Sequence, residues 1–281
     1  MNDWQMNFNG LTFGAGTVYR ISNVIGLHDL PDVRSSDQPR SRQHGEFAGI
    51  DLLGGRDIDV QITVTAKHPD DTTWQALSQA LVAGLPQELP LTMQIPGVAL
   101  GNELQVQARV RRLSLPVDMD YYVGVGRGAV SFHLTDPRLY SSTETSLSVN
   151  QAAPDGSGLT FNATFPLTFG GGSSGGQVVA TNDGEFAAPW VATLSGPVTN
   201  PRLENVTSGE IISFDGTVNS GETLVVSSLN RTVLLNGTAS RYSWLEQGST
   251  WFDLAPGNNT IRFAGTSGTG SMTFVFRSAW I

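Results

Sequence analysis

The chain has 281 residues, enough for two domains that each bury a core, and its net charge is −9. The acid excess is shared: residues 1–140 hold 11 basic and 15 acidic groups and residues 141–281 hold 5 and 10, which argues against a nucleic-acid grip, since that needs a basic face. With no cysteine, a disulfide framework, a thiolate nucleophile and Cys-ligated zinc are excluded.

The amino terminus, MNDWQMNFNG, has an acid where a secretory signal carries basic residues, and no apolar core follows it. No run approaches the roughly 18 apolar residues of a membrane helix. A soluble protein made in a reducing compartment is expected. Residues 11–26 predict one or two short strands. A polar loop follows, His28 to Gly45, with Pro31, Pro39 and the arginines Arg34, Arg40 and Arg42. Loops this long in compact domains tend to be functional or disordered, and an arm docking on a neighbouring subunit through its arginines is one reading; a solvated loop is the other.

Residues 57–66 predict a strand with Ile58, Val60, Ile62 and Val64 on one face and Asp57, Asp59, Gln61, Thr63 and Thr65 on the other. Asp57 and Asp59 there are expected to solvate the face rather than catalyse. A helix is predicted from about Thr73 to Gly84, with Thr72 and Gln75 at capping-box spacing, Asp70 and Asp71 at its positive end, and Trp74, Leu77, Leu81 and Leu85 as its apolar stripe. Gly84 and then Pro86 are expected to end it. Residues 90–95 and 104–115 predict strands, the second with Leu104, Val106, Ala108 and Val110 on one face. Gly124, Gly126 and Gly128 lack the following helix of a phosphate loop, so a turn or bulge is expected. In AVSFHLTDPRLY, Val130, Phe132 and Leu134 alternate with Ser131, His133 and Thr135, and Pro137 stops the strand.

The domain boundary is placed just past Tyr140, giving domains 1–140 and 141–281. The second half predicts an all-β sandwich, with strands at 158–165, 177–181, 189–196, 202–206, 210–214, 222–227, 231–235, 250–253, 259–264 and 271–277. Turn pairs Asp215-Gly216 and Asn236-Gly237, and Pro256-Gly257-Asn258, separate them. GGGSSGG at 170–176 reads as a loop inside the domain. Trp190, Trp244, Trp251 and Trp280 could stack on sugar rings or pack in a core. Trp244 and Trp251 are the carbohydrate-site candidates.

No HExxH, GxSxG, Walker or kinase motif occurs, and the four histidines, His28, His44, His68 and His133, show no metal-ligand spacing. No enzyme, metal or cofactor is expected.

A polar arm, a Gly55-Arg56-Asp57 turn into an alternating strand, one amphipathic helix, a strand pair and then VSFHLTDPRLY resemble the amino-terminal half of the distal tail proteins of long-tailed, non-contractile bacteriophages. The closing stretch, WFDLAPGNNTI, a Gly-rich turn and SMTFVFRSAWI, is similar to the end of that family's carboxy-terminal sandwich. The resemblance implies a mainly β fold: an amino-terminal sandwich or barrel-like domain with one helix and a long arm, then a sandwich similar to galectins and carbohydrate-binding modules. It also implies a structural virion protein, made in the bacterial host cytoplasm. Copies would form a homohexameric ring at the distal tail tip that joins the tail tube protein to tail-tip proteins and leaves a channel through which DNA passes transiently. The second domain would face outward, towards a receptor-binding protein or a host glycan. Competing readings are a free carbohydrate-binding module, a glycan-degrading enzyme, and a plain tail-tube subunit; the sandwich after Tyr140 weighs against the last.

Overall fold

The computed structural model describes residues 1–65, 71–152 and 176–281. His68, Asp70, the strand expected at 158–165 and all but the last residue of the glycine run lie outside these. The mainly β expectation is borne out. The chain divides into two compact units, one of Met1–Ser142 with Trp280–Ile281, the other of Thr143–Ala279.

In the first unit the strands are β1 (Gln5–Phe8), β2 (Leu11–Gly14), β3 (Tyr19–Ile25), β4 (Val33–Arg34), β5 (Gln38–Pro39), β6 (Glu46–Phe47), β7 (Leu52–Leu53), β8 (Arg56–Thr65), β9 (Leu89–Gln94), β10 (Leu104–Ser114), β11 (Val125–Leu134) and β12 (Leu139–Ser141). The main sheet runs β2-β1-β9-β10-β11-β8-β3. Strand β10 pairs β9 along Leu104–Ala108 and β11 along Arg109–Ser114, with a bulge between Val110 and Arg112. A bulge bends and twists a strand, so β10 turns the sheet at this point and its two halves can fold over a shared core. Into that core point Ile58, Val60, Ile62 and Val64 from β8 and Leu104, Val106, Ala108 and Val110 from β10, as the alternation predicts. Phe8 and Phe13 meet Phe132 there, at centroid distances of 5.0 and 6.4 Å. Trp280 belongs to the same core.

Helix α1 spans Asp71–Val82 and buries Leu77 and Leu81. It starts two residues before the expected Thr73, which leaves Thr72 inside its first turn rather than at a cap. Leu85, expected in its stripe, is exposed beyond its end. Gly84 has a packing role instead of a left-handed one: a Cβ there would stand 2.4 Å from the ring of Phe8.

The three glycines after Tyr122 also divide by role. Gly124, at φ 91°, makes the turn after a short helix, α2 (Met119–Tyr122). Gly126 and Gly128 lie inside β11, where the expected bulge is absent, because the helix comes close: a Cβ on Gly126 would stand 1.8 Å from the indole of Trp74. Gly126→Val therefore overpacks the contact and is expected to cost the first unit about 1–3 kcal/mol, read as an earlier denaturation midpoint. Combining it with Trp74→Ala should give less than the sum of the two losses.

The second unit contains β13 (Thr145–Asn150), β14 (Gln177–Asn182), β15 (Trp190–Ser195), β16 (Val198–Thr199), β17 (Arg202–Asn205), β18 (Glu210–Ser213), β19 (Thr217–Val218), β20 (Thr223–Ser227), β21 (Thr232–Leu235), β22 (Ala239–Ser240), β23 (Gly257–Ala264), β24 (Ser267–Gly268) and β25 (Ser271–Phe276). Two sheets, β13-β25-β15-β20-β21-β22 and β14-β23-β17-β18, are joined by a small sheet, β19-β16-β24. Asn236 and Gly237, both at positive φ, turn β21 into β22 as a type I′ pair would. The strand expected at 250–253 does not form. That segment bonds sideways at separate points, Thr250 N–H to Ile211 O and Leu254 to Ala188, so no continuous ladder results.

Candidate subunit interface

The residues between β3 and β8 form a two-stranded ribbon with little cover rather than an irregular loop. At its root Gly26 sits at φ 95°, and a Cβ would stand 2.1 Å from the carbonyl oxygen of Asp57, so only glycine lets the two chains close there. Arg56 locks the root. Its side chain is buried and one terminal nitrogen donates to Leu27 O (2.7 Å) and Gly26 O (3.2 Å). Burial pulls this guanidinium below its ordinary value while Asp29 pulls the other way. Gly54 N–H then donates to Asp32 O at 2.6 Å.

Outward from the root, Val33 pairs with Leu53 and Arg34 with Leu52. Ser36 Oγ both accepts from Ile50 N–H (2.9 Å) and donates to Ile50 O (3.0 Å), and Asp37 Oδ1 accepts from Gly49 N–H at 2.6 Å. Gln38 and Pro39 face Phe47 and Glu46, and Arg40 N–H closes the tip on Gly45 O. Side chains thus replace ladder bonds in mid-ribbon, which holds a narrow extension together without a core beneath it.

The bond from Gly49, and then that from Ser35, hold the Asp37 carboxyl below its ordinary value of 3.8. A lowered carboxyl stabilises the folded form fully above the ordinary value and loses that contribution as pH falls through the lowered one. As pH falls from 5 to below 3, the protection of the Gly49 amide, its exchange rate relative to that of an unstructured amide at the same pH, is accordingly expected to fall. In Asp37→Ala the amide should already exchange fast at neutral pH.

All three predicted arginines lie on this ribbon and are exposed; Arg40 stacks 4.9 Å from the ring centroid of Phe47. What the sequence reading missed is apolar. Leu30, Val33, Phe47, Ile50 and Leu52 are between 45% and 75% exposed. The signal was present in FAGIDLL, just beyond the limit placed at Gly45: an apolar run with no covering partner in its own strand pattern.

A second exposed apolar cluster follows β10. Asp118 caps α2, its carboxylate accepting from Tyr121 N–H at 2.9 Å, and Tyr121 packs on Trp74 with centroids 5.6 Å apart. Fixing Tyr121 inward turns Val117, Met119, Tyr122 and Val123 outward, at 66% to 79% exposure. A pocket of about 220 Å³ adjoins the segment, lined in part by Ser114, Pro116 and Arg127.

Asp57 and Asp59 do not act as a pair. Asp57 faces His133 across β8 and β11, Oδ1 to Nδ1 2.6 Å, while Asp59 is opposite Ser131. His133 is opposite Arg109, whose Nε stands 3.4 Å from Glu88 Oε1. This is a cross-strand polar row on a sheet face, with a bonded Asp57–His133 pair and an opposite-charge Arg109–Glu88 pair, and pairs of this kind support strand pairing.

In the second unit Trp190 is core: its Nε1 donates to Phe252 O at 2.9 Å and its ring stacks on Phe274. Trp244 is half-buried against Gly216, with Arg241 over its ring at 5.5 Å. Trp251 is half-buried too, its Nε1 enclosed and without a hydrogen-bond partner among the described residues. Both lie on the segment that runs beside β18.

Residues 183–280 match the model of the siphovirus-type tail component, C-terminal domain. This segment is similar to the C-terminal domain of siphovirus-type tail components. The matched stretch spans β15 to β25, and a likeness of fold extends over the rest of the chain. The crystal structure of SPP1 Dit (gp 19.1), described as a paradigm of the hub adsorption apparatus in phages infecting Gram-positive hosts, aligns with a TM-score of 0.65 at 14% identity, covering 99% of both chains. A structure of the phage P2 baseplate in its activated conformation with Ca aligns at 0.48 with 9% identity, over 96% of this chain and 97% of that one, too distant to argue from. No curated protein matches the chain in sequence. The resemblance to distal tail proteins is borne out by the matched tail component domain and the shared fold.

Proposed function

We propose that this tail component is a structural hub protein at the distal end of a siphovirus tail, whose copies close through the first unit into a homohexameric ring. The ring joins the tail tube protein to tail-tip proteins and leaves a channel for DNA. The observation that carries the reading is the ribbon, whose apolar side chains its own unit leaves in solvent. Burying a side chain of this size is worth about 1.5–3 kcal/mol at full burial, whereas an exposed ion pair gives about 0–1 kcal/mol. The apolar residues therefore supply the holding energy, and Arg34, Arg40 and Arg42 set register on an acidic neighbour. Net charge −9 suits a channel that must not retain a passing duplex. The function so described needs no catalysis.

The test is light scattering with negative-stain imaging of the purified full chain. Six-fold annuli are expected; a solitary species at high concentration overturns the proposal. Outward contact of the second unit with a receptor-binding protein or a host glycan belongs to the same proposal. Trp244 and Trp251, brought to one edge, are its sugar-site candidates. A glycan bound there should quench tryptophan fluorescence, and Trp251→Ala should remove the quench while the chain stays folded.

A further inference from the structure

We infer that the ribbon of one copy docks on residues 115–123 of a second copy. The inference rests on the ring reading above and names the surface that the ribbon grips. Two exposed apolar clusters sit on the first unit, and neither is covered there: Phe47, Ile50 and Leu52 on the ribbon, and Val117, Met119, Tyr122 and Val123 around α2. Exposed clusters of this kind mark interaction surfaces.

Charge selects their pairing. Residues 38–47, the ribbon tip, hold Arg40 and Arg42 against a single acid, Glu46, while residues 115–123 hold Asp118 and Asp120 and no base. In each stretch the charges stand beside the apolar group, so tip can meet acids while stem meets Met119 and Tyr122. Asp118 is occupied in capping and Asp120 stands 3.5 Å from Arg127, an exposed pair that an incoming guanidinium can share. The acceptor is also the better held of the two clusters, since Tyr121 is pinned on Trp74. A surface fixed beforehand loses little freedom when it is covered. Donor and acceptor are different patches on one chain, so the contact is heterologous. Repetition by a rotation that closes gives a ring; one that does not gives a filament.

The absence of cysteine permits a direct test. Full-length Ile50→Cys and a size-tagged Tyr122→Cys are mixed and treated with a short bismaleimide, with Leu229→Cys replacing Tyr122→Cys as the control for chance collision. A linked species of mixed size is expected from the first mixture, in at least about tenfold excess over the control. Equal yields overturn the inference. As a second measurement, Met119→Asp with Tyr122→Asp, both at exposed positions, should leave the monomer's melt unchanged and abolish annuli; persisting annuli overturn it as well. The two readings fail separately. Annuli in the unaltered chain without the cross-link reject only this acceptor surface, and no annuli at all reject the ring.

Discussion

Excising residues 33–53 and joining Asp32 to Gly54 is expected to give a folded protein that no longer assembles. The junction is short because Gly54 N–H already donates to Asp32 O at 2.6 Å, and the cut leaves the root whole: Arg56 keeps Leu27 O and Gly26 O. Nothing in the removed segment belongs to the buried core of the first unit, so the melt of the variant should match that of the full chain. Scattering should report the mass of one chain at concentrations where the unaltered protein forms annuli. Several exposed apolar side chains leave with the ribbon, each worth about 1.5–3 kcal/mol when fully buried, so the loss should be complete rather than graded. Annuli that persist unchanged would show that the ribbon is not the clasp. Ile50→Asp and Leu52→Asp give an independent reading, since both side chains stand in solvent and neither change disturbs the fold.

How much of this was legible beforehand depended on period. The strands β8, β10 and β11 alternate cleanly, because each has one face in the core and one outside, and their buried residues follow from the alternation alone. The helix was visible from its stripe, though its ends shifted by two residues, since terminal turns fray and a stripe fixes the face of a helix rather than its ends. Short strands such as β4 to β7 carry only two residues each, too few for a period to register. They exist because side chains of Ser36 and Asp37 bond the opposite backbone, and no composition rule announces that pairing. Gly124 makes the expected turn, but Gly126 and Gly128 were misread for a similar reason. Gly126 is small to admit Trp74, which lies 52 positions earlier in the chain, and a local pattern cannot hold that information. In the interface, charge was read and apolar exposure was not: arginines in a polar loop stand out, whereas Ile50 and Leu52 look like core residues until the fold shows that no core reaches them.

Trp190→Ala is expected to be the most damaging single substitution in the second unit, and it also tests whether the two units melt independently. The indole is fully buried, stacks on Phe274 and meets Phe252 at a tilt, both at 5.1 Å, and holds Phe252 O with its own N–H. Truncation of a buried tryptophan costs about 3–5 kcal/mol, and the orphaned carbonyl adds to that when water cannot reach it. Against a total of about 5–15 kcal/mol for a domain, the second unit should melt well before the first. The measurement must use the full chain. A fragment ending at residue 142 would lack Trp280, which packs in the core of the first unit although it follows the entire second one in sequence. Calorimetry should therefore show one transition displaced downward and one retained. Imaging below the retained transition should still show annuli, because the ribbon and α2 both belong to the first unit. If both transitions move together and assembly is lost, the units fold as one body, and the division of labour between ring and outward face has to be abandoned.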